Sequence, residues 1–364
     1  MESGARPRDA LVAIDLLRFC AAAMVMLCHY FGEWAIVSRL GVGAGSGPSG
    51  LPTNPWLSSG WVGVEIFFVI SGYVIALSAT DSSAIDFVRR RLLRLWPAAL
   101  VCASITALAL LVAGIPWEYV APRYAASAMM WLWGTQIDPV YWSLLVECVF
   151  YTLVALLLAV GRWNPVKVGL SLSVWTLAYL AWVVSPGHAA APGITKLAEF
   201  LLAPYGAFFG MGILFQQAHR APASVKGWMF LPSFLAAPVC IGAINGIDGG
   251  QESAEALLLF VAGVAVVILS ARVQLLFRSD RVRRIAIALG LATYPLYLVH
   301  AYVGQALMVG GAAVGLPPAL MVGPVILLMI GAALLIALRV EPLIRTRMDR
   351  LLRPILRPAP RPAG

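Results

Sequence analysis

Apolar residues run along this chain in blocks of 17 to 23, separated by short polar or Gly/Pro-rich stretches. A bilayer core of about 30 Å takes ~20 apolar residues per helix. The blocks therefore predict ten transmembrane spans, at 11–31, 61–79, 97–114, 141–160, 168–185, 197–216, 228–245, 255–271, 286–308 and 319–338. Breaker-rich segments such as GVGAGSGPSGLPTNP, GIDGGQES and GLPP mark loops between them. The stretch 121–134 is too short to cross and reads as an interfacial or re-entrant helix. No fixed-period repeat is visible.

Composition agrees with the pattern. Of 364 residues, 61% are apolar and 12% charged, with mean hydropathy +0.86; soluble domains carry about 25% charged residues. An all-α, polytopic membrane protein is predicted, which excludes a soluble two-domain enzyme, a secreted disulfide scaffold and a nucleic-acid binder. Cys20, Cys28, Cys102, Cys148 and Cys240 lie inside apolar runs with no CxxC pair, so they read as small hydrophobes, and no metal site is expected. The first run contains Asp15 and Arg18, unlike the apolar core of a cleavable signal.

The basic residues set the expected orientation. With the N-terminus in the cytoplasm, 22 of 26 Lys and Arg fall on the inner side, three (Arg39, Arg123, Lys196) on the outer side, and Arg18 within a span. Both termini are thus expected in the cytoplasm, in a multi-pass protein of the cell's inner membrane. Topology accounts for the net charge of +9 without a nucleic-acid partner. The chain is divided into a transmembrane domain, 1–340, and an irregular Arg/Pro-rich tail, 341–364, that is solvated or touches anionic headgroups.

Ionisable groups at membrane depth mark functional positions. They are Asp15, Arg18 and His29 in span one, Glu65 in span two, Glu147 in span four, Glu199 in span six and His300 in span nine. Arg18 and His29, 11 residues apart, lie within about 20° of one helical face, and Asp15 joins them within about 40°. This stripe either faces a cavity or other helices, or is a structural Asp15–Arg18 pair with His29 at the interface. The expected topology brings two carboxylates, Glu65 and Glu147, and two imidazoles into the outer half of the membrane, the raw material for general acid–base chemistry. At the opposite end, FVRRRLLRLWP puts Arg90, Arg91 and Arg94 on one basic helix face. That face suits lipid headgroups or a phosphorylated ligand.

Five segments together resemble the acyltransferase-3 family of integral membrane enzymes: IDLLRFCAAAMVMLCH (14–29), GVEIFFVISGYVIA (63–76), RRLLRLWP (90–97), YWSLLVECVFY (141–151) and ATYPLYLVH (292–300). Thr293 stands where the family more often has Ser. The resemblance implies transfer of an acyl group, acetyl being the one expected, from cytoplasmic acyl-CoA to a hydroxyl of a carbohydrate or glycosylated acceptor, with no permanently bound cofactor. It ties Arg18, His29 and Glu147 to activity and assigns Arg90, Arg91 and Arg94 to the CoA phosphates. On this view His29, oriented by Glu147 or Glu65, deprotonates the acceptor, or alternatively carries the acyl group covalently. Asp15, Glu65, Ser71, Ser143, Tyr294, Tyr297 and His300 would line the substrate pocket, although Ser71-Gly72 equally suits close helix packing. The competing class is a transporter or channel with an intramembrane polar path; the sequence lacks inverted-repeat symmetry.

Overall fold

The computed structural model describes residues 12–31, 54–185, 187, 191–248, 253–273 and 279–354. Among these the protein is helical, with no strand. The helices are α1 (Val12–Phe31), α2 (Gly63–Ala79), α3 (Ala84–Val112), α4 (Trp117–Ala128), α5 (Tyr141–Ala159), α6 (Pro165–Val183) and α7 (Pro192–Phe200). They continue as α8 (Gly206–Arg220), α9 (Leu231–Asp248), α10 (Ser253–Val273), α11 (Asp280–Ala313), α12 (Pro318–Leu335) and α13 (Glu341–Leu352). Among the described residues seven helical stretches are long and apolar enough to cross a bilayer, and two shorter apolar helices are Gly227–Ala243 and Ala254–Ser270. The protein is an all-α, polytopic membrane protein.

Four boundaries differ from the sequence expectation. The basic stretch and span three form one continuous helix, α3, which passes through Pro97; a membrane helix tolerates a proline where neighbouring groups satisfy the freed backbone. The expected span 197–216 is broken. Leu202 turns into the left-handed region at φ 68°, Pro204 follows, and the helix restarts at Gly206. Side chains of α6 make this break possible: Trp175 Nε1 donates to the Leu201 carbonyl at 3.0 Å, and Thr176 Oγ1 accepts from the Ala207 N–H at 2.9 Å. Finally, α12 runs through a π-helical turn, Ile336–Val340, into α13, so the first part of the expected irregular tail is helical. The short segment 121–134 is helical only as part of α4, which begins earlier.

The chain forms two compact units. The first comprises Met1–Val64, Trp96–Leu145 and Gln251–Leu343; the second comprises Glu65–Leu95, Val146–Gly250 and Ile344–Gly364.

In the first unit α1 packs along α11. Lipid tails are as apolar as leucine, so burial alone does not drive this pairing; close approach and hydrogen bonds do. Gly290 faces Asp15, where an added Cβ would lie 2.5 Å from the aspartate Cβ, and Gly304 receives the Tyr30 hydroxyl. The contacts advance in the same direction along both helices, so α1 and α11 run parallel. That matches their expected odd positions, first and ninth, in the order of spans.

In the second unit α2 crosses α8 closely, because Gly72 meets the Phe209 carbonyl and Gly212 meets the Val69 carbonyl. Gly72 therefore serves close packing, as one reading of Ser71-Gly72 expected. Phe68, Phe150 and Phe209 stack around this crossing, with ring centroids 4.8 and 4.2 Å apart.

Candidate active site

The polar stripe of α1 turns toward α11. Asp15 lies against Gly290, and fourteen residues on His29 meets His300. His29 Nδ1 and His300 Nε2 are 3.0 Å apart, with ring centroids 5.0 Å apart. His300 is fully buried and His29 half-buried.

The protons on this pair follow from its neighbours. His300 Nδ1 lies 3.1 Å from the Leu296 carbonyl, an acceptor only, so the neutral ring carries its proton there. Its Nε2 is then a lone pair, and the 3.0 Å contact requires a proton on His29 Nδ1. Neutral His29 is left with an unprotonated Nε2, the form a general base needs. The sequence led us to expect a carboxylate orienting His29; the partner found in this unit is an imidazole.

The surroundings hold His300 in place. Tyr30 donates to the His300 carbonyl at 2.8 Å. Tyr297 stacks obliquely at 5.9 Å from the His300 ring. Ser143 donates to the Val140 carbonyl at 3.2 Å, so its oxygen accepts the Tyr297 hydroxyl proton at 2.7 Å. Ser143, Tyr297 and His300, all expected as pocket residues, are thus one connected set. Arg18, on the same face of α1 by helical spacing, and Tyr294 on α11 are half-buried. Thr293 donates to its own helix at Leu289, a bond that serine would also make.

The second unit builds a different cluster. Glu147 Oε1 accepts from Ser71 Oγ and from Tyr151 OH, each at 2.6 Å. The Arg91 guanidinium lies over the Phe87 and Tyr151 rings at 5.5 and 5.7 Å and donates to Ser78 at 3.2 Å. Arg90, exposed, donates to Ser82, and Arg94 is half-buried. The three arginines therefore differ: Arg91 is packed into the Glu147 cluster, while Arg90 faces outward. Glu65 is buried, and its Oε2 has no hydrogen-bond partner among the described residues.

A family model described as an acyltransferase domain matches residues 11–338. The chain belongs to the acyltransferase-3 family. It is similar to nodulation protein 10 of Rhizobium leguminosarum bv. viciae, 27% identical over 322 residues, which cover 79% of this chain and 82% of that protein. It is also similar to the O-acetyl transferase of Shigella phage Sf6, 37% identical over 97 residues, or 25% of this chain and 24% of that one. No solved structure matches the chain. Membership makes the protein a membrane acyltransferase, and the clusters around His29 and Glu147 fall within the matched region.

In this acyltransferase the sequence reading missed Tyr30 and Tyr151, and it also missed Asp138. Asp138 is fully buried and accepts from the Val140 N–H at 3.1 Å and the Tyr302 N–H at 2.9 Å. It ties the start of α5, which carries Ser143, to the segment of α11 that carries His300. Burial pushes its carboxyl up to about 7, against the opposing pull of the two backbone N–H groups. Its signal was Asp-Pro just ahead of a helix, a turn-initiating dipeptide. Glu199, one of the ionisable groups at membrane depth, accepts from Tyr179 at 3.0 Å. His219 packs edge-on to Tyr73, and His188 lies outside the described residues. Among the described residues no three His, Cys, Asp or Glu side chains group as a metal site requires.

Proposed function

We propose that this protein transfers an acyl group, acetyl in the first instance, from acyl-CoA on the cytoplasmic side of the inner membrane to a hydroxyl of a carbohydrate or glycosylated acceptor, with His29 as general base. The observation that carries the assignment of the base is the hydrogen bond from His29 to His300, whose other nitrogen is committed to the Leu296 carbonyl. His29 Nε2 takes the acceptor's hydroxyl proton as the oxygen attacks the thioester carbonyl. The C–S bond then breaks, and the CoA thiolate recovers the proton from the imidazolium. Throughout, His29 Nδ1–H stays on His300, a neutral acceptor that costs nothing when His29 becomes charged. His300 is thus a positioning residue.

The arginines take the phosphates of CoA, with Arg90 exposed, Arg94 half-buried and Arg91 fixed on its aromatic platform. Glu147 supports that platform through Tyr151 and Ser71. Arg18, on the His29 face of α1, is assigned to the transferring group. Glu65, with an unsatisfied buried oxygen, is assigned to an acceptor hydroxyl. The phage relative's name, O-acetyl transferase, supports acetyl transfer to oxygen.

The test uses purified protein, acetyl-CoA labelled in the acetyl group and an envelope glycan extract. Labelled glycan from wild type and none from His29→Ala at equal protein level is the expected result. Equal labelling by both would overturn the reading.

A further inference from the structure

Within the second unit, α5, α6 and the break after α7 enclose a groove of about 960 Å³ that takes no part in the chemistry above. Its walls are apolar: Val149, Leu153 and Leu157 from α5 face Val168 and Leu172 from α6. Its floor is formed by Leu201 and Trp175, whose indole is held on the Leu201 carbonyl. Its mouth is cationic, with Arg162 and Lys167 both exposed. Trp163 also lines the mouth, and its indole N–H is buried without a hydrogen-bond partner among the described residues. Buried donors are almost always satisfied, so an acceptor is missing here.

We propose that this groove is a binding site for an anionic phospholipid, its phosphate at Arg162, Lys167 and the Trp163 N–H and one acyl chain along the walls. The dimensions agree. Along α5, Val149 to Ala159 spans about 15 Å, one leaflet of a ~30 Å hydrocarbon core. The mouth therefore sits at headgroup level when the floor lies near the midplane. The mouth is also on the side that the Lys/Arg distribution assigns to the cytoplasm, where anionic lipids attract basic side chains. The walls exclude the alternatives. Ser171 is their lone hydroxyl, so neither the amides of a pantetheine arm nor a peptide backbone would find partners there, whereas an acyl chain needs none.

The full-length protein is purified in detergent, and its melting temperature is followed while phosphatidylglycerol or phosphatidylcholine is added. Phosphatidylglycerol should raise the melting temperature and phosphatidylcholine should not. Arg162→Gln with Lys167→Gln should weaken phosphatidylglycerol binding at least about tenfold, as expected for lost charge-assisted contacts, while melting in phosphatidylcholine stays that of wild type. Trp163→Phe should lose part of the response. Arg345→Gln with Arg347→Gln, which removes equal charge elsewhere on the same side, should retain all of it. An equal response to both lipids, or an equal loss in the two double variants, would overturn the site. A double variant that melts early even in phosphatidylcholine is then judged by Trp163→Phe alone. A full phosphatidylglycerol response there counts against the proposal.

Discussion

His29 and His300 stand 271 residues apart in the chain and 3.0 Å apart in the structure. The second imidazole fixes which nitrogen of the first carries the proton. General bases of this kind contribute typically 10²–10⁴-fold, so His29→Ala should lower kcat by at least that range. Expression and melting temperature should stay near wild type, because His29 is only half-buried. Turnover at matched protein level is the measurement.

His300→Phe keeps a ring in the pocket but removes the acceptor for His29 Nδ1–H. The expected result is a 10- to 100-fold fall in kcat, roughly the cost of losing a partner that orients a reactive imidazole. KM for both substrates should stay near wild type. A fall in KM affinity with kcat preserved would show that His300 binds substrate instead of positioning the base.

Much of this was legible in the chain, and what was not has physical causes. Span lengths and the Arg18–His29 face follow from 20-residue apolarity and a 3.6-residue turn, both local properties. The break at Leu202 was hidden because FLLAPYGAFFG, residues 200–210, carries no charge, and only Pro204 and Gly206 signal it. Pro97 misled in the opposite sense, reading as a helix start where the helix continues. The His29–His300 and Ser143–Tyr297 pairings join distant segments. Periodicity can place such residues at a depth but cannot choose their partners.

Gly304 offers a test of the α1–α11 pairing. A methyl group there meets the Tyr30 hydroxyl, which is held by its bond to the His300 carbonyl. Gly304→Ala should destabilise by about 1–3 kcal/mol, the usual cost of overpacking, and reduce turnover through His300. Tyr30→Phe removes the obstructing oxygen and should cost about 0.6–2 kcal/mol alone. The double variant should be more stable than the sum of the two, with a coupling above about 0.5 kcal/mol in a melting cycle. Additivity would mean that the two groups do not meet.

The arginines should separate kinetically. Arg90→Gln and Arg94→Gln should raise KM for acyl-CoA and leave kcat and the acceptor KM nearly unchanged, because ground-state contacts far from the carbonyl act uniformly. Arg91→Gln should do this and also lower the melting temperature, since its guanidinium packs on Phe87 and Tyr151. Glu147→Gln should resemble Arg91→Gln. Calorimetry with acyl-CoA on the folded variants decides, and wild-type affinity throughout would remove the arginines from donor binding.

Asp138 predicts a pH dependence of stability. Its carboxyl, near 3.8 when exposed, is raised to about 7 in the fold. Between those values the folded state holds a proton that the unfolded state has released, so stability falls as pH rises from about 4 to 7 and levels off above. The slope is at most ~1.4 kcal/mol per pH unit. Asp138→Asn should flatten this segment of a melting-temperature profile. An unchanged profile would show that another group titrates.

The parallel pairing of α1 with α11 also has a consequence for biogenesis. At roughly 5–20 residues per second, the 271 residues between His29 and His300 take on the order of tens of seconds to synthesise. Throughout that interval α1 sits in the membrane with Asp15 and His29 lacking the helix that receives them. Nascent α1 must therefore be sheltered by the insertion machinery, by water at its ends or by an interim helix. The helix that completes the candidate active site is also the one that ends the exposure of α1's charges. Truncated chains ending before α11 should consequently be poorly retained in the bilayer and preferred substrates for membrane proteases.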